Sequence, residues 1–200
     1  MNTQPEHVLE FWFGPRAGNL EVATRQGKLW FGKSPENDRA VADRFGETLV
    51  AARAGLLGHW TKTPHGRLAL IIVFDQFPHH IHRDQPFAFA TDAQALGLAL
   101  DALAEGEDRR LSPIERVFLY LPLEHAESLA MQEQSVALYD ALHREAVAGE
   151  ADLFASFLDY ARRHRDVVAR FGRFPHRNAI LGRPSTPDEV EFLKQPGSHF

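Results

Sequence analysis

The chain has 200 residues, 44% of them hydrophobic and 24% charged, which suits one soluble globular domain over residues 1–200. A net charge of −5 argues against nucleic-acid binding, and the lack of cysteine excludes disulfides, thiolate catalysis and thiolate metal sites. The longest unbroken apolar run, Leu68–Phe74, is too short to span a bilayer, and Met1–Glu6 lacks the basic-then-apolar form of a signal peptide, so a cytoplasmic protein without membrane contact is expected.

Helix starts and stops are written plainly. In chain order, Ser34-Pro35, Thr63-Pro64, Ser112-Pro113 and Thr186-Pro187 each set a hydroxyl cap before a proline, whose missing N–H costs nothing at the first helical position. Glu115 and Glu189 stand three residues after Ser112 and Thr186 and complete two capping boxes. Gly55, Gly106, Gly149 and Gly172 end runs, and Pro78 and Pro122 are read as breaking two more. These signals predict helices over 4–13, 35–54, 64–77, 92–105, 113–121, 126–148, 150–171 and 187–194, about eight in all. Segments 14–33 and 79–86 are read as the main loops. No stretch alternates with a two-residue period, so the fold class is all-α, an antiparallel helical array or short superhelix. Helices 64–77 and 113–121 are apolar nearly all round and must be central.

Polar residues on apolar faces mark a candidate site. On helix 150–171, Leu153, Phe157, Tyr160, His164, Val167 and Phe171 follow helical spacing, which places His164 mid-stripe, buried and in need of a partner. Helix 126–148 sets Gln132 in the arc of Leu129, Val136 and Tyr139. Asp75 follows Leu68, Ile71 and Ile72 on one face, and a buried carboxylate must find a cation or N–H groups. Arg67, Arg83, Arg173 and Arg177 are the candidate cations. Glu124-His125 opens one helix, and Arg173-Phe174-Pro175-His176-Arg177-Asn178 closes another. Seven arginines against one acid between Ala161 and Arg183 make a basic run suited to an anion. Phe-Pro-His occurs twice, at Phe77–His79 and Phe174–His176.

Other chemistries find less support. His79-His80-Ile81-His82 lacks a His-Glu-x-x-His or comparable helical ligand pair, so no metal is expected. The glycines at 14, 18, 27 and 32 are too scattered for a phosphate loop, and no cofactor is implied. Ser112, Ser128 and Ser135 lie in capping or helical contexts, not at a nucleophile elbow.

Several long motifs carry a resemblance. They are Val8–Gly14, Phe74-Asp75-Gln76-Phe77-Pro78, Ala88–Asp92, Glu115–His125 and the block Arg170–Arg183. With these the chain resembles, over essentially its whole length, the bacterial "domain of unknown function 924" family. The family pattern fits Asp75–Pro78, Arg83, Glu124, His125, Glu127, Gln132, Glu133, His164 and Arg170–Asn178. The chain departs from it at His79, His80 and His82, and at Met131 and Gln134. The resemblance implies an all-α, tetratricopeptide-like fold and brings no established activity.

The expectation is one polar pocket at helix ends, lined by Asp75, Arg83, Glu124, His125, Gln132, His164, Arg173, His176, Arg177 and Asn178. It would bind a small anionic molecule or peptide, with Arg173 and Arg177 reading the anion through their planar forks. One alternative is a small hydrolase-type enzyme with His125, His164 or His176 as general base. The other is a structural module that meets a protein partner and has no ligand.

Overall fold

The computed structural model describes residues 3–198. Of these, 73% are helical and none lies in a strand, so the all-α reading holds. The helices are α1 (Pro5–Phe13), α2 (Asn19–Phe31), α3 (Pro35–Arg53), α4 (Pro64–Asp75), α5 (Phe77–Ile81), α6 (Asp92–Ala104), α7 (Pro113–Glu124), α8 (Leu129–Glu145), α9 (Ala151–Phe171) and α10 (Pro187–Phe192). Helix α4 has no polar face, and its whole run Leu68–Phe74 is buried against α1, α3, α5, α6 and α7. Helix α7 is nearly as apolar and lies between α4 and the paired α8 and α9. A helix with apolar side chains all round is stable only where neighbours cover every side, and these two form the centre.

The caps form as their sequence predicts. Ser34 Oγ accepts from the Asn37 N–H, Thr63 Oγ1 from the Gly66 N–H, and both capping boxes are closed. Three elements depart from expectation. Segment 14–33, read as loop, contains α2. That helix carries Gly27 and has no hydroxyl cap, so its support is tertiary. Gln26, Trp30 and Arg25 donate to the carbonyls of Phe11, Trp12 and Phe13, the orphan acceptors at the end of α1. Pro78 opens the short α5 instead of ending a run. Pro122 lies inside α7, which continues to Glu124. A proline there removes only the bond to the Phe118 carbonyl, and burial on all sides keeps the last turn in place.

The stripes on the outer pair are also turned slightly. On α9 the buried residues are Phe154, Leu158, Ala161, His164, Val167 and Val168, while Tyr160 is exposed; on α8 they are Gln132, Ser135, Tyr139 and Leu142, while Leu129 is exposed. His164 is buried in either register. Segment Pro86–Ala104 has the length and mean hydropathy, 1.2, of a membrane-crossing segment. It is in fact a 3-10 turn followed by α6, whose Ala95, Ala99 and Ala102 pack into the core.

Candidate functional site

Helix ends converge on one buried polar cluster. Asp75 is the last residue of α4, Asp92 the first of α6, Glu124 the last of α7 and His125 its C-cap. Thr91 Oγ1 donates to the Phe74 carbonyl at 2.6 Å and so pins the start of α6 beside the end of α4. On the other side, Gln132 Nε2 donates to the carbonyls of Glu124 and Ala126 at 2.6 and 2.8 Å. Gln132 thereby serves as the cap that fixes the end of α7. Two carboxyl groups at helix C-termini face the negative end of the helix dipole, where a cation is favoured and an acid is not.

His125 supplies that cation. Its Nδ1–H donates to Asp75 Oδ1 at 2.8 Å, and Gln76 Nε2 donates to Asp75 Oδ2 at 2.6 Å. The Asp75 side chain is 1% exposed and that of His125 is 18% exposed. Burial alone would raise the Asp75 carboxyl, but the charge and hydrogen bond of His125 hold it below its ordinary value. Burial likewise opposes the His125 imidazolium, yet Asp75 lifts its pKa above 6.5. With Nδ1 committed, Nε2 is the nitrogen left for proton transfer.

Glu124 behaves in the opposite way. Burial pushes its carboxyl up to about 8, with the Asp75 charge adding to the rise and His125 opposing it. His164 Nδ1 lies 3.2 Å from Glu124 Oε1 but already donates to the Tyr160 carbonyl at 2.9 Å. Burial and the neighbouring His125 charge bring His164 down to about 3, and His79 also to about 3, so both rings are neutral at pH 7. Asp92 rises to about 6 through burial and the Asp75 charge, although Arg177 Nη1 donates to its Oδ2 at 3.0 Å.

The two Phe-Pro-His elements flank this centre. Ring centroids run from His79 to His125 (5.7 Å), His125 to His164 (6.4 Å), His164 to Phe174 (5.5 Å) and Phe174 to His176 (5.6 Å). Of the residues singled out from sequence, the structure brings together Asp75, Glu124, His125, His164 and Arg177, with Gln132 behind them and His176 at the edge.

Three others lie elsewhere. Arg83 forks onto Asp38 at 2.6 Å through both Nε and Nη2, and Asp38 also takes the Nδ1–H of His80 at 2.8 Å, tying α3 to α5. Arg173 forks onto Glu189 at 2.7 and 2.8 Å. Asn178 donates to Glu189 and Ser185 and accepts from Arg183. Those two belong to a C-terminal knot, not to the cluster.

The basic run is internally matched. Arg162 meets Asp140, Arg163 the Gly197 carbonyl, Arg165 Asp166, Arg173 Glu189, Arg177 Asp92 and Arg183 Glu127, while Arg170 lies over the Phe171 ring. Asp75 therefore takes a histidine as its cation, because every candidate arginine is held elsewhere; Arg67, for instance, pairs with Glu105 and Glu107. The three clustered histidines also diverge. His79 faces His125 and Phe89, His80 meets Asp38 and Trp12, and His82 meets Phe87. Among the described residues, no group of three or more His, Asp or Glu side chains is arranged to hold a metal ion.

Asp92, His79 and Gln76 are members of the cluster that sequence reasoning did not place there. Asp92 reads as an ordinary first-turn acid, and His79 reads as part of a histidine run. Only the second Phe-Pro-His element hinted at His79. A shallow surface depression at Gly18, Leu20, Glu21, Thr24, Arg25 and Glu150 shares no residue with the cluster.

Residues 8–197 match the family model described as "Bacterial protein of unknown function (DUF924)". A solved structure of a protein of unknown function from Agrobacterium tumefaciens is 34% identical to this chain, with a TM-score of 0.80 over 95% of this chain and 96% of that one. No curated protein matches.

Proposed function

This chain belongs to the bacterial DUF924 family, and from the geometry of its buried cluster we propose that it is a small acid–base enzyme of the hydrolase type. The observation that carries this reading is the 2.8 Å bond between Asp75 and His125, with Glu124 held as a neutral acid beside it. Environments that push neighbouring titratable groups apart in pKa separate the acid from the base. In this reading Asp75 orients His125 and stabilises its imidazolium. His125 Nε2 takes a proton from an attacking water. The Glu124 carboxyl returns a proton to the leaving group.

The anion-binding reading has lost its main support, since the Arg173 fork is spent on Glu189 and the Arg177 charge is paired with Asp92. A purely structural or protein-docking role is favoured by the low exposure of the cluster. Against it stands His125, whose side chain is 18% exposed while the Asp75 behind it is 1% exposed, so the ion pair is reached from the surface through the imidazole. A cytoplasmic location fits the cysteine-free chain.

The test is a screen of small esters, amides and phosphate esters with the wild-type chain and with His125→Gln. The expected result is turnover by the wild type only. Its pH profile should be bell-shaped, rising as His125 loses its proton above its ordinary 6.5 and falling as Glu124 ionises near 8. Turnover that survives His125→Gln, or none across the panel, rejects this assignment.

A further inference from the structure

The proposed chemistry needs both His125 and Glu124, and the two differ in access. The His125 side chain is 18% exposed, whereas those of His164 and Glu124 are 8% and 5% exposed. His164 Nδ1 stands 3.2 Å from Glu124 Oε1, and the Phe174 ring meets the His164 ring edge-on at 5.5 Å. Phe174 is itself fully buried. A substrate at His125 therefore meets the acid when the piece of chain that carries Phe174 gives way.

That piece is built as a body of its own. Glu189 binds it together, accepting from Arg173 Nε and Nη2, from the Thr186 N–H and from Asn178 Nδ2. Phe174 clusters with Val167 and Val168 of α9, and Phe171 and Phe192 pack against them, apart from the main core. A small satellite of this kind opens at a lower free energy than a main core does. The join to α9 is Gly172, in the left-handed conformation at φ +70°. A Cβ added there would meet nothing within 4 Å, so conformation and not space calls for glycine. On the far side a buried ion pair holds this body down. Arg177 Nη1 donates to Asp92 Oδ2 at 3.0 Å, and its guanidinium lies 4.6 Å from the Phe89 centroid and 4.8 Å from that of Phe174. The Glu127–Arg183 pair ties the same seam, but it is about a quarter exposed and screened.

We propose that the C-terminal knot, residues 173–197, is a lid over His164 and Glu124 that pivots at Gly172 and is latched by Arg177 on Asp92. This rests on the acid–base reading above and names how that site opens. The Glu189 brace makes the knot move as one piece. A lid that lifts admits substrate to the acid, and on closing it excludes water from the reacting groups.

The test reads access and not turnover, so its failure is distinct from failure of the acid–base reading. Diethyl pyrocarbonate acylates neutral imidazoles that meet solvent, and peptide mapping of the full chain gives a rate for each histidine. His164, with its pKa near 3, is neutral at pH 7, so its rate measures exposure. His80 is the internal control: it is also 6% exposed, but it is bonded to Asp38 between α3 and α5. In the wild type His164 should react faster than His80 despite equal burial. Asp92→Asn keeps the shape of the latch and removes its charge. It should speed His164 at least about tenfold, as suits the loss of a buried charge pair, and leave His80 unchanged. Arg177→Met breaks the same latch from the other end and should act alike, with thermal melts to check that both variants fold. If neither folds, the wild-type comparison decides alone. Equal rates at His164 and His80 in the wild type, no response of His164 to either folded variant, or a rise at both histidines together would each overturn the lid.

Discussion

Glu124 and Glu189 are the same residue type, 4% and 2% exposed, and they sit in opposite states. Burial raises Glu124 to about 8, whereas the Arg173 fork brings Glu189 down to about 2 against its own desolvation. The difference lies in partners. Glu189 also accepts from the Thr186 N–H at 2.7 Å and from Asn178 Nδ2 at 3.2 Å. Glu124 has beside it a His164 N–H already donated to Tyr160, and the negative charge of Asp75. A brace fills its lone pairs and loses any reason to exchange a proton. A buried acid without such partners keeps its proton at neutral pH and can give it up, which is what a general acid requires.

Four substitutions compared at pH 5 probe this contrast, taken here from the largest effect down. Asp75→Ala leaves the buried His125 cation uncompensated and should cost about 3–5 kcal/mol, read from denaturant midpoints. A cost well under 1 kcal/mol would mean that the pair is not held away from water, and the contrast with the knot would collapse. Glu189→Gln comes next, because it removes one end of the Arg173 fork and a capping box together. It should lower the melting temperature by less than Asp75→Ala does. The folded pKa of Glu189, about 2, lies below its ordinary 4.5, so its contribution is fully present above pH 4.5 and is lost as pH falls through 2. The wild-type and Glu189→Gln melting curves should therefore converge on acidification. Curves that stay parallel would assign the effect to packing instead.

Much of this contrast is legible in the sequence, and the rest is not, for physical reasons. Caps are local, so Ser112 with Glu115 and Thr186 with Glu189 announce their boxes, and helix α10 starts where Thr186 says it should. Apolar runs are equally plain, and Leu68–Phe74 had to be central. Helix α2 is not legible, because Gln26, Arg25 and Trp30 support it through the carbonyls of α1, which only the fold brings near. The site is half legible. Asp75 on an apolar face demands a cation, and that demand is met, but by His125 from the end of α7, which required the helix to run past Pro122. Arg173 and Asn178 sit beside Arg177 in the sequence yet point into the knot. Arg177 is the last residue of a tight 3-10 turn, Pro175–Arg177, and pairs with Asp92 instead. Residue type and spacing say that a group needs a partner. The partner itself is chosen by tertiary geometry.

A third substitution, Arg183→Ala, tests the seam between the two regions. Arg183 reaches from the knot to Glu127 at 2.6 and 2.8 Å, and Glu127 also takes the Phe174 N–H at 2.8 Å. Both side chains are about a quarter exposed, 25% and 26%. A pair so wetted is screened, and its loss should cost under about 1 kcal/mol in the same denaturant series. A larger cost would show that the knot and the cluster are one cooperative unit, not a brace beside a site.

Glu124→Gln should have the smallest effect of the four at pH 5, and its sign should turn with pH. The folded pKa of Glu124, about 8, is raised above its ordinary 4.5. For a carboxyl shifted this way, the favourable contribution is fully present below pH 4.5 and is lost as pH rises through 8, because the unfolded chain ionises first. Glutamine has nearly the shape of the protonated acid and does not titrate. The variant should match the wild type near pH 5 and become the more stable of the two as pH rises, by at most about 1.4 kcal/mol per pH unit. Denaturant midpoints measured from pH 5 to pH 9 decide it. A wild type that holds its stability across that range has an ionised, well-partnered Glu124, which would make it a second Glu189 and remove the proton donor from the site. If instead the gain appears and turnover disappears in the same variant, the burial that costs this helix end stability is what keeps its acid poised.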